Sequence, residues 1–364
     1  MAASIKIALA NVLLGIAGLL WLVALLRGSA RRPHAAILVP IAAYAVVSVL
    51  SAVWSADPRH SITELADLLT LSLVPMTVSL FDQKRWDRLL HLMAVVLVVS
   101  AIIGQAQFAL GGDPIQHRMR GLATHYMTFS GWTLVVTLLL LGDVFFANER
   151  RRLLWTLPAA ALGVSALMLG LTRGAWIGLA TGILLAVAVG RPRALILLPL
   201  VVSVLYLALP QPVLKRAAAT VGLRESATRE RLEMFGSGIE MARDNPILGL
   251  GPGLVQPAYT DYRRGGGPEK IPHLHNNGIQ ITAERGVAGL LTYLMILGVF
   301  GLHVWRALQI TPSVARQVVI GCLMAVAGVT TAGFFEYNWG DAEVWIVTLV
   351  SLSAPFALFP RKVT

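Results

Sequence analysis

Apolar and polar residues follow one another along this chain in long blocks, not in short strand-like steps. Apolar runs fall at about 5–26, 35–54, 61–80, 89–110, 125–147, 153–171, 174–189, 193–209, 286–306, 315–335 and 342–360. Most approach the roughly 20 residues that a helix needs to cross a bilayer, and the shorter ones must tilt or thin the bilayer locally. The third run carries Glu64 and Asp67 and is less apolar than its neighbours. A membrane β-barrel would instead show short alternating strands. The pattern therefore predicts an all-α polytopic membrane protein of about 11–12 transmembrane helices.

One connection, 210–285, is too polar to span. It divides the chain into N-terminal transmembrane helices (1–209), a lid loop (210–285) and C-terminal transmembrane helices (286–364). Within the loop, "TRERLEMFGSGIEMAR" (228–243) sets Leu232, Phe235, Ile239 and Ala242 on one helical face. Asp244-Asn245-Pro246 stops that helix. The stretches "GLGPG" (249–253) and "RRGGGPEK" (263–270) are connectors of low helix propensity. The loop thus reads as a lid with one amphipathic helix lying on the membrane domain, and not as a separate domain.

Composition sharpens this picture. Apolar residues make up 56% of the 364, charged residues only 13%, and the mean hydropathy is +0.70. A soluble domain of that composition would expose large adhesive patches. The single cysteine, Cys322, excludes an intrachain disulfide and a cysteine-based metal cluster. The net charge of +11 does not point to nucleic acid, because the charges lie mostly between apolar segments, where they orient helices.

Alternate short loops hold Arg27, Arg31, Arg32, Lys84, Arg85, Arg88, Arg150, Arg151, Arg152, Arg191, Arg193, Arg306, Arg316, Arg361 and Lys362, and the intervening ones hold only Arg59, Arg118, Arg120 and Arg173. Positive charge accumulates on the cytoplasmic side, so the lid is expected outside, in the periplasm of a Gram-negative cell. The N-terminus is then expected outside and the C-terminus inside. The first run is too long, and lacks the charged leader, for a cleavable signal peptide.

Side-chain chemistry gathers at the outer side. "HLHNNGIQITAERG" (273–286) joins the lid to an apolar run. Asn276 or Asn277 is suited to cap a helix beginning there, which leaves His275 at the helix start facing the lid. An imidazole in that place can take a proton from a sugar hydroxyl near neutral pH, and nearby arginines would favour its neutral form. The alternative is that His273 and His275 are interfacial residues bonded to carbonyls. A zinc site is disfavoured, because no third His or Cys lies at ligand spacing nearby; no metal and no cofactor are expected.

Arg173 sits in a tight outer turn, "GLTRGAWIGLA", between two apolar runs. An arginine in a membrane segment is usually paired or functional; its plain alternative is snorkelling to headgroups. Arg229 and Arg231 lie on the lid helix, and Arg118 and Arg120 in "QHRMRGLATHYM" beside His117 and His125. Arginine forks bind phosphate bidentately. No Walker-type loop and no outer Asp-x-Asp clamp appears. The chemistry suggested is metal-free group transfer from a lipid phosphate donor.

With these motifs in order, the sequence resembles the O-antigen ligase and polymerase superfamily of bacterial inner-membrane proteins, and most of all the ligases. His275-Asn276, nine residues, then Gly286-x-x-Gly289 matches the ligase-type pattern. "LTRGAWIG" resembles the family's Ser/Thr-Arg-Gly turn, "RLEMFGSGIEMARDNPILGLGPG" its lid segment, and "RGLATHYMTFSG" a looser earlier segment. The resemblance implies transfer of a polysaccharide from undecaprenyl diphosphate to a sugar of the lipid A-core oligosaccharide, metal-independent and inverting, in the periplasmic leaflet. Carried over by position, His275 is the general base, Arg173 and Arg231 grip the diphosphate with Arg120 assisting, and Asn276 orients the histidine or binds acceptor sugar.

The implied partners are the lipid-linked glycan, the lipid A-core and membrane lipids, with no nucleic acid. The family usually has 12 spans with both ends cytoplasmic, one more than are read here; Thr172 stands for its Ser and Phe235 for its Trp. An O-antigen polymerase or a protein O-oligosaccharyltransferase using the same donor would share these features. A flippase would require charged residues deep in several spans and two inverted halves, and neither pattern is present.

Overall fold

The computed structural model of the chain describes residues 2–111, 118–146, 149–190, 214, 226–263, 268–310 and 313–359. Among these residues all regular structure is helical. The order is α1 (Ala2–Leu26), α2 (Leu38–Val53), α3 (Pro58–Glu64), a 3-10 segment (Leu65–Ser72), α4 (Leu73–Leu80), α5 (Gln83–Leu110), α6 (Tyr126–Phe146), α7 (Arg150–Leu169) and α8 (Arg173–Gly190). Then follow α9 (Ser226–Asp244), α10 (Val255–Tyr262), α11 (Asn277–Ile310), α12 (Ser313–Ala332) and α13 (Ala342–Leu358).

Each expected apolar run is helical where it is described; the eighth, 193–209, lies outside the described residues. Six helices are long and apolar enough to cross a membrane: Pro58–Leu80, Gln83–Leu110, Tyr126–Phe146, Arg150–Leu169, Arg173–Gly190 and Asn277–Gln309. Shorter apolar helices lie at Val12–Leu26, Leu38–Val53, Arg316–Ala332 and Ala342–Leu358. Large apolar side chains stand outward on several of them, as with Leu19, Leu20, Val39, Leu92 and Leu154, which suits lipid and not water. The chain is an all-α, multi-pass membrane protein.

The chain forms two compact units. Residues 83–223 and 306–332 form one, with α6 at its centre and α12 packed on both α6 and α8. Glycine makes this packing possible. A Cβ on Gly142 would lie 2.4 Å from the Cα of Gly321, and one on Gly178 would lie 2.5 Å from the Gly328 carbonyl oxygen. Helices in lipid associate by such close backbone approach at small residues.

The other unit comprises residues 1–82, 224–305 and 333–364. Its third crossing, Pro58–Leu80, is not one α-helix. Asp57 caps it through its side chain, which accepts from His60 N–H at 3.1 Å, with Pro58 in the first turn. Pro75 has no N–H to give to the Leu71 carbonyl, and the stretch before it, Leu65–Ser72, tightens to 3-10 geometry. The weaker apolar character of this run thus goes with an irregular helix.

The lid belongs to this unit. Met234, Met241, Val255, Tyr259, Ile271, Leu274 and Ala283 form its buried cluster, so its core includes a residue of α11. The buried face of α9 differs from the face expected from large apolar residues. Met234 and Met241 are buried, whereas Leu232 is 56% and Ile239 45% exposed. The reason is Gly238, where a Cβ would meet Ile279 Cγ2 at 2.4 Å and Leu274 Cδ1 at 2.7 Å. The glycine brings the helix down on the face beside it and leaves Leu232 and Ile239 exposed.

The decisive local feature is a break in α11. Gly286 has φ 63° and ψ −167° inside the helix. In an uninterrupted helix, Val287 and Ala288 N–H would bond to the carbonyls of Ala283 and Glu284. Here Val287 N–H donates to Pro246 O (2.8 Å) and Ala288 N–H to Ile247 O (3.3 Å). Leu250 N–H donates to Ala283 O (2.9 Å) and Gly251 N–H to Glu284 O (3.0 Å). The strip 246–251 thus satisfies all four groups that the break releases. A Cβ on Gly286 would lie 2.1 Å from Ile247 O. Gly286→Ala therefore meets both a positive φ and a backbone clash, at a cost of about 1–3 kcal/mol for the conformation alone. It is expected to lower the thermal unfolding temperature of the detergent-purified protein clearly more than Gly298→Ala, whose Cβ meets nothing within 4 Å.

Candidate functional site

The α11 start is built by two asparagines. Asn276 Oδ1 accepts from Ile279 N–H at 2.9 Å, the N-cap bond, and its Nδ2 donates to Phe334 O at 3.1 Å. Asn277 N–H donates to Gly333 O at 2.7 Å, and Asn277 Oδ1 accepts from Trp339 N–H at 3.1 Å. Asn276 is 8% and Asn277 5% exposed. The Asn276 amide works at both ends, and Asn277 bonds through its backbone N–H and its amide oxygen, so the pair caps the helix and fastens the 333–341 connection across it.

That fastening brings Glu336 against the histidines. His275 Nδ1 lies 2.9 Å from Glu336 Oε2, and His273 Nε2 lies 3.1 Å from Glu336 Oε1. The two rings meet edge to face, with centroids 4.3 Å apart. Burial alone would push the Glu336 carboxyl up. The hydrogen bond from His275, the nearby imidazoles and the Tyr337 N–H outweigh that and hold it below the ordinary carboxylate value. An ionised carboxylate only accepts, so His275 donates to it from Nδ1, and in the neutral ring Nε2 then keeps its lone pair. His273 likewise donates from Nε2, and its Nδ1 accepts from His275 N–H at 3.3 Å.

His275 itself has φ 52°, a left-handed conformation that costs a non-glycine residue about 1–3 kcal/mol. Held there, the ring turns back toward Glu336 in place of continuing along the helix. The side chain set against His275 is thus a carboxylate, where the sequence suggested arginines.

Beneath the pair runs a second polar chain. Leu274 N–H donates to Gln280 Oε1 (2.8 Å), and Gln280 Nε2 donates to Glu284 Oε1 (2.8 Å). Arg285 Nη1 pairs with Glu284 Oε2, and Arg285 Nε donates to Ser48 Oγ at 2.9 Å. A polar recess of about 270 Å³ opens beside it, lined by Glu64, Asp67, Gln280, Glu284, Arg285 and Tyr337 among others. On another side of Asn276 lies an apolar groove of about 670 Å³, lined by Ile239, Ala242, Ile279, Val287, Leu290 and Phe334 among others.

Of the residues singled out from sequence, His275, Asn276 and Arg231 belong to this unit, and Arg173 and Arg120 to the other. Arg231 lies half-buried on α9. Arg173 is the first residue of α8 and is half-buried. Its turn is fixed by Leu171, at φ 52°, and by Thr172, whose Oγ1 accepts from Ser130 Oγ at 2.9 Å. Thr172 O accepts from Ala175 and Trp176 N–H. Arg120 is exposed, and Gln107 Oε1 accepts from its backbone N–H at 2.9 Å. His117 lies outside the described residues.

Sequence reading did not identify Glu336, Gln280 or Arg285. Glu336 is 61 residues from His275, in a loop with no spacing signal of its own; the adjacent asparagines at 276–277, read as caps and, for Asn276, as orienting the histidine or binding acceptor sugar, were the trace of its docking. Glu336 also supplies a third ligand atom beside two histidines. One atom from each of His273, His275 and Glu336 lies within 4.8 Å of the others.

Residues 158–294 match the family model described as O-antigen ligase. The match contains Arg173, Arg231, His275, Asn276 and Gly286; Arg120 and Glu336 fall outside it. Among curated proteins, no match is found.

The double role of Asn276 has a measurable consequence. Asn276→Ala is expected to lose the cap, worth about 0.5–2 kcal/mol, together with the bond to Phe334. Asn276→Asp keeps the cap acceptor and loses only the donor. Hydrogen exchange of the 333–341 amides should rise in both, and the Ala variant should unfold at the lower temperature.

Proposed function

We propose, from the match of residues 158–294 to the O-antigen ligase family model, that the chain is a member of the O-antigen ligase and polymerase superfamily of glycosyltransferase-like membrane enzymes and acts as the ligase. In this reading it transfers a polysaccharide from undecaprenyl diphosphate to a sugar hydroxyl of the lipid A-core oligosaccharide. It does so from the inner membrane, with its site on the periplasmic side. The observation that carries the reading is the His275–Glu336 pair, 2.9 Å apart, which leaves His275 Nε2 as a proton acceptor.

The steps follow from that tautomer. Nε2 removes the proton of the acceptor hydroxyl as its oxygen attacks the anomeric carbon of the donor. Glu336 holds the ring and stabilises the imidazolium that forms, as a carboxylate does behind any histidine base. The bond to the diphosphate oxygen breaks on the opposite face, which inverts the anomeric centre. Arg173 and Arg231, with Arg120 assisting, are assigned to the diphosphate, because guanidinium forks meet phosphate oxygens in pairs. The step needs no metal, since the arginines take the leaving charge. The apolar groove beside Asn276 is of a character to hold part of an isoprenoid chain, and Asn276 acts by fixing the histidine's helix start.

His275→Ala is expected to reduce transfer by about 10²–10⁴-fold, the usual worth of a general base, with insertion and thermal stability kept. Full activity in a stably folded variant would remove the base assignment. Glu336→Gln keeps the shape without the charge, and should lower kcat by about 10–100-fold with little change in KM. Arg173→Lys and Arg231→Lys should raise the KM for donor, because a lysine keeps the charge but loses the fork. Ligase and polymerase part in a deletion strain. Loss of long chains from lipopolysaccharide with their persistence on the lipid carrier marks the ligase; absence of long chains from the carrier marks the polymerase.

A further inference from the structure

We propose that His273, His275 and Glu336 also form a binding site for a borderline divalent metal ion of the Zn²⁺ class, and that the bound ion inhibits transfer by reversing the tautomer of His275. The inhibitory half rests on His275 being the base; the binding half does not.

The donor set is the first argument. One donor atom from each of His273, His275 and Glu336 lies within 4.8 Å of the others, and His273 Nε2 and His275 Nδ1 are the ring nitrogens set against the carboxylate. Two imidazoles and one carboxylate are a common three-ligand set for Zn²⁺, whose tetrahedral bonds of about 2.0–2.1 Å leave a fourth position open. Imidazole selects against Mg²⁺ and Ca²⁺, which take oxygen ligands. The side chains of His273, His275 and Glu336 are 24%, 17% and 16% exposed, so an ion can reach them, yet they are held by their surroundings. His275 is fixed by its backbone, and Glu336 by the loop that Asn276 and Asn277 fasten.

The proton accounting is the second. Without metal, neutral His275 has its hydrogen on Nδ1, toward Glu336, and a lone pair on Nε2. An ion on Nδ1 requires that lone pair there, so the single hydrogen of the neutral ring moves to Nε2. Nε2 is then a donor and cannot accept the acceptor's proton. His273 exchanges in the opposite sense, its hydrogen moving from Nε2 to Nδ1, and gives up the 3.3 Å bond from His275 N–H. The pair bonds that tune the base are the ones the ion replaces, and the same carboxylate serves both states.

The test uses the full-length protein in detergent, titrated with Zn²⁺ against a chromophoric chelator. Transfer is measured with undecaprenyl-diphosphate-linked glycan and lipopolysaccharide acceptor, and each variant is compared with its own metal-free rate. Wild type is expected to bind one Zn²⁺ per chain that His273→Gln and Glu336→Gln each weaken by more than about tenfold. Saturating Zn²⁺ should stop wild-type transfer reversibly, with the chelator restoring it, and His273→Gln should need a correspondingly higher concentration. Zn²⁺ binding that neither variant weakens overturns the site. Binding at the site with transfer unaffected overturns the inhibitory half and counts against His275 as base. Loss of activity on chelation, or activation by Zn²⁺, overturns both the inhibition and the metal-free mechanism. An absence of site binding with normal transfer overturns this inference alone and leaves the base reading standing.

Discussion

Buried backbone must be hydrogen-bonded, and inside a membrane protein water cannot make up a deficit. Gly286 breaks the ladder of α11 where Ala283 is fully buried and Glu284 is 5% exposed. Four main-chain groups are released there, and the strip 246–251 accepts or donates to each of them. The lid is thus joined to the transmembrane helix by a short piece of shared backbone ladder, and not by side-chain contact alone. Ser51 Oγ adds a bond to Glu284 O at 2.7 Å, and Ser61 Oγ one to Pro252 O at 3.0 Å, so α2 is tied to the break in α11 and α3 to the residue that follows the strip. An apolar lid could slide on its base; one that completes a helix's hydrogen bonding has a single register.

That register sets the site. With 246–251 fixed, α9 and α10 close over Leu274 and Ala283, and the segment before α11 has no freedom to extend. His275 is left in a left-handed conformation that its type disfavours. The imidazole's bond to Glu336 offsets part of that strain. The flanking bonds add to it: Leu274 N–H to Gln280, Asn276 to Ile279 and Phe334, and Asn277 to Gly333 and Trp339. Five hydrogen bonds, each worth about 0.5–1.5 kcal/mol net, readily exceed the roughly 1–3 kcal/mol of one strained residue. His275 is thus the residue that the surrounding polar network over-determines.

Much of this was legible beforehand because it depends on periodicity. The apolar runs, the polar lid, the helix start at Asn276–Asn277 and the stop at Asp244-Asn245-Pro246 all follow from local composition and capping chemistry, and α9 ends at Asp244 and α11 begins at Asn277 as those signals imply. The orientation of α9 was misread because large side chains were counted and glycine was not. Gly238 contributes no apolar area, yet it decides how close the helix can come to Ile279. Gly286 was read as part of a motif and not as a break, since a lone glycine in an apolar run usually only weakens a helix. Glu336 had no local signature at all. Its role exists only because a loop 61 residues away is fastened to the α11 start, and long-range fastening leaves no period in a sequence.

The site also shows why two adjacent asparagines are not redundant there. A helix N-terminus in a membrane protein leaves N–H groups to satisfy, and one cap would suffice for Ile279. The second amide is spent on the 333–341 connection, whose Trp339 packs edge-on against Tyr44 and Tyr293. That connection therefore has an aromatic anchor on one side and amide bonds on the other, and Glu336 lies between them. A carboxylate so held does not need to search for its histidine. It meets His275 Nδ1 in one orientation, and that contact decides which ring nitrogen is left unpaired with the carboxylate. The path from the glycine break to the His275 ring runs through backbone and side-chain hydrogen bonds together, from Gly286 within α11 to the residue just before the helix starts.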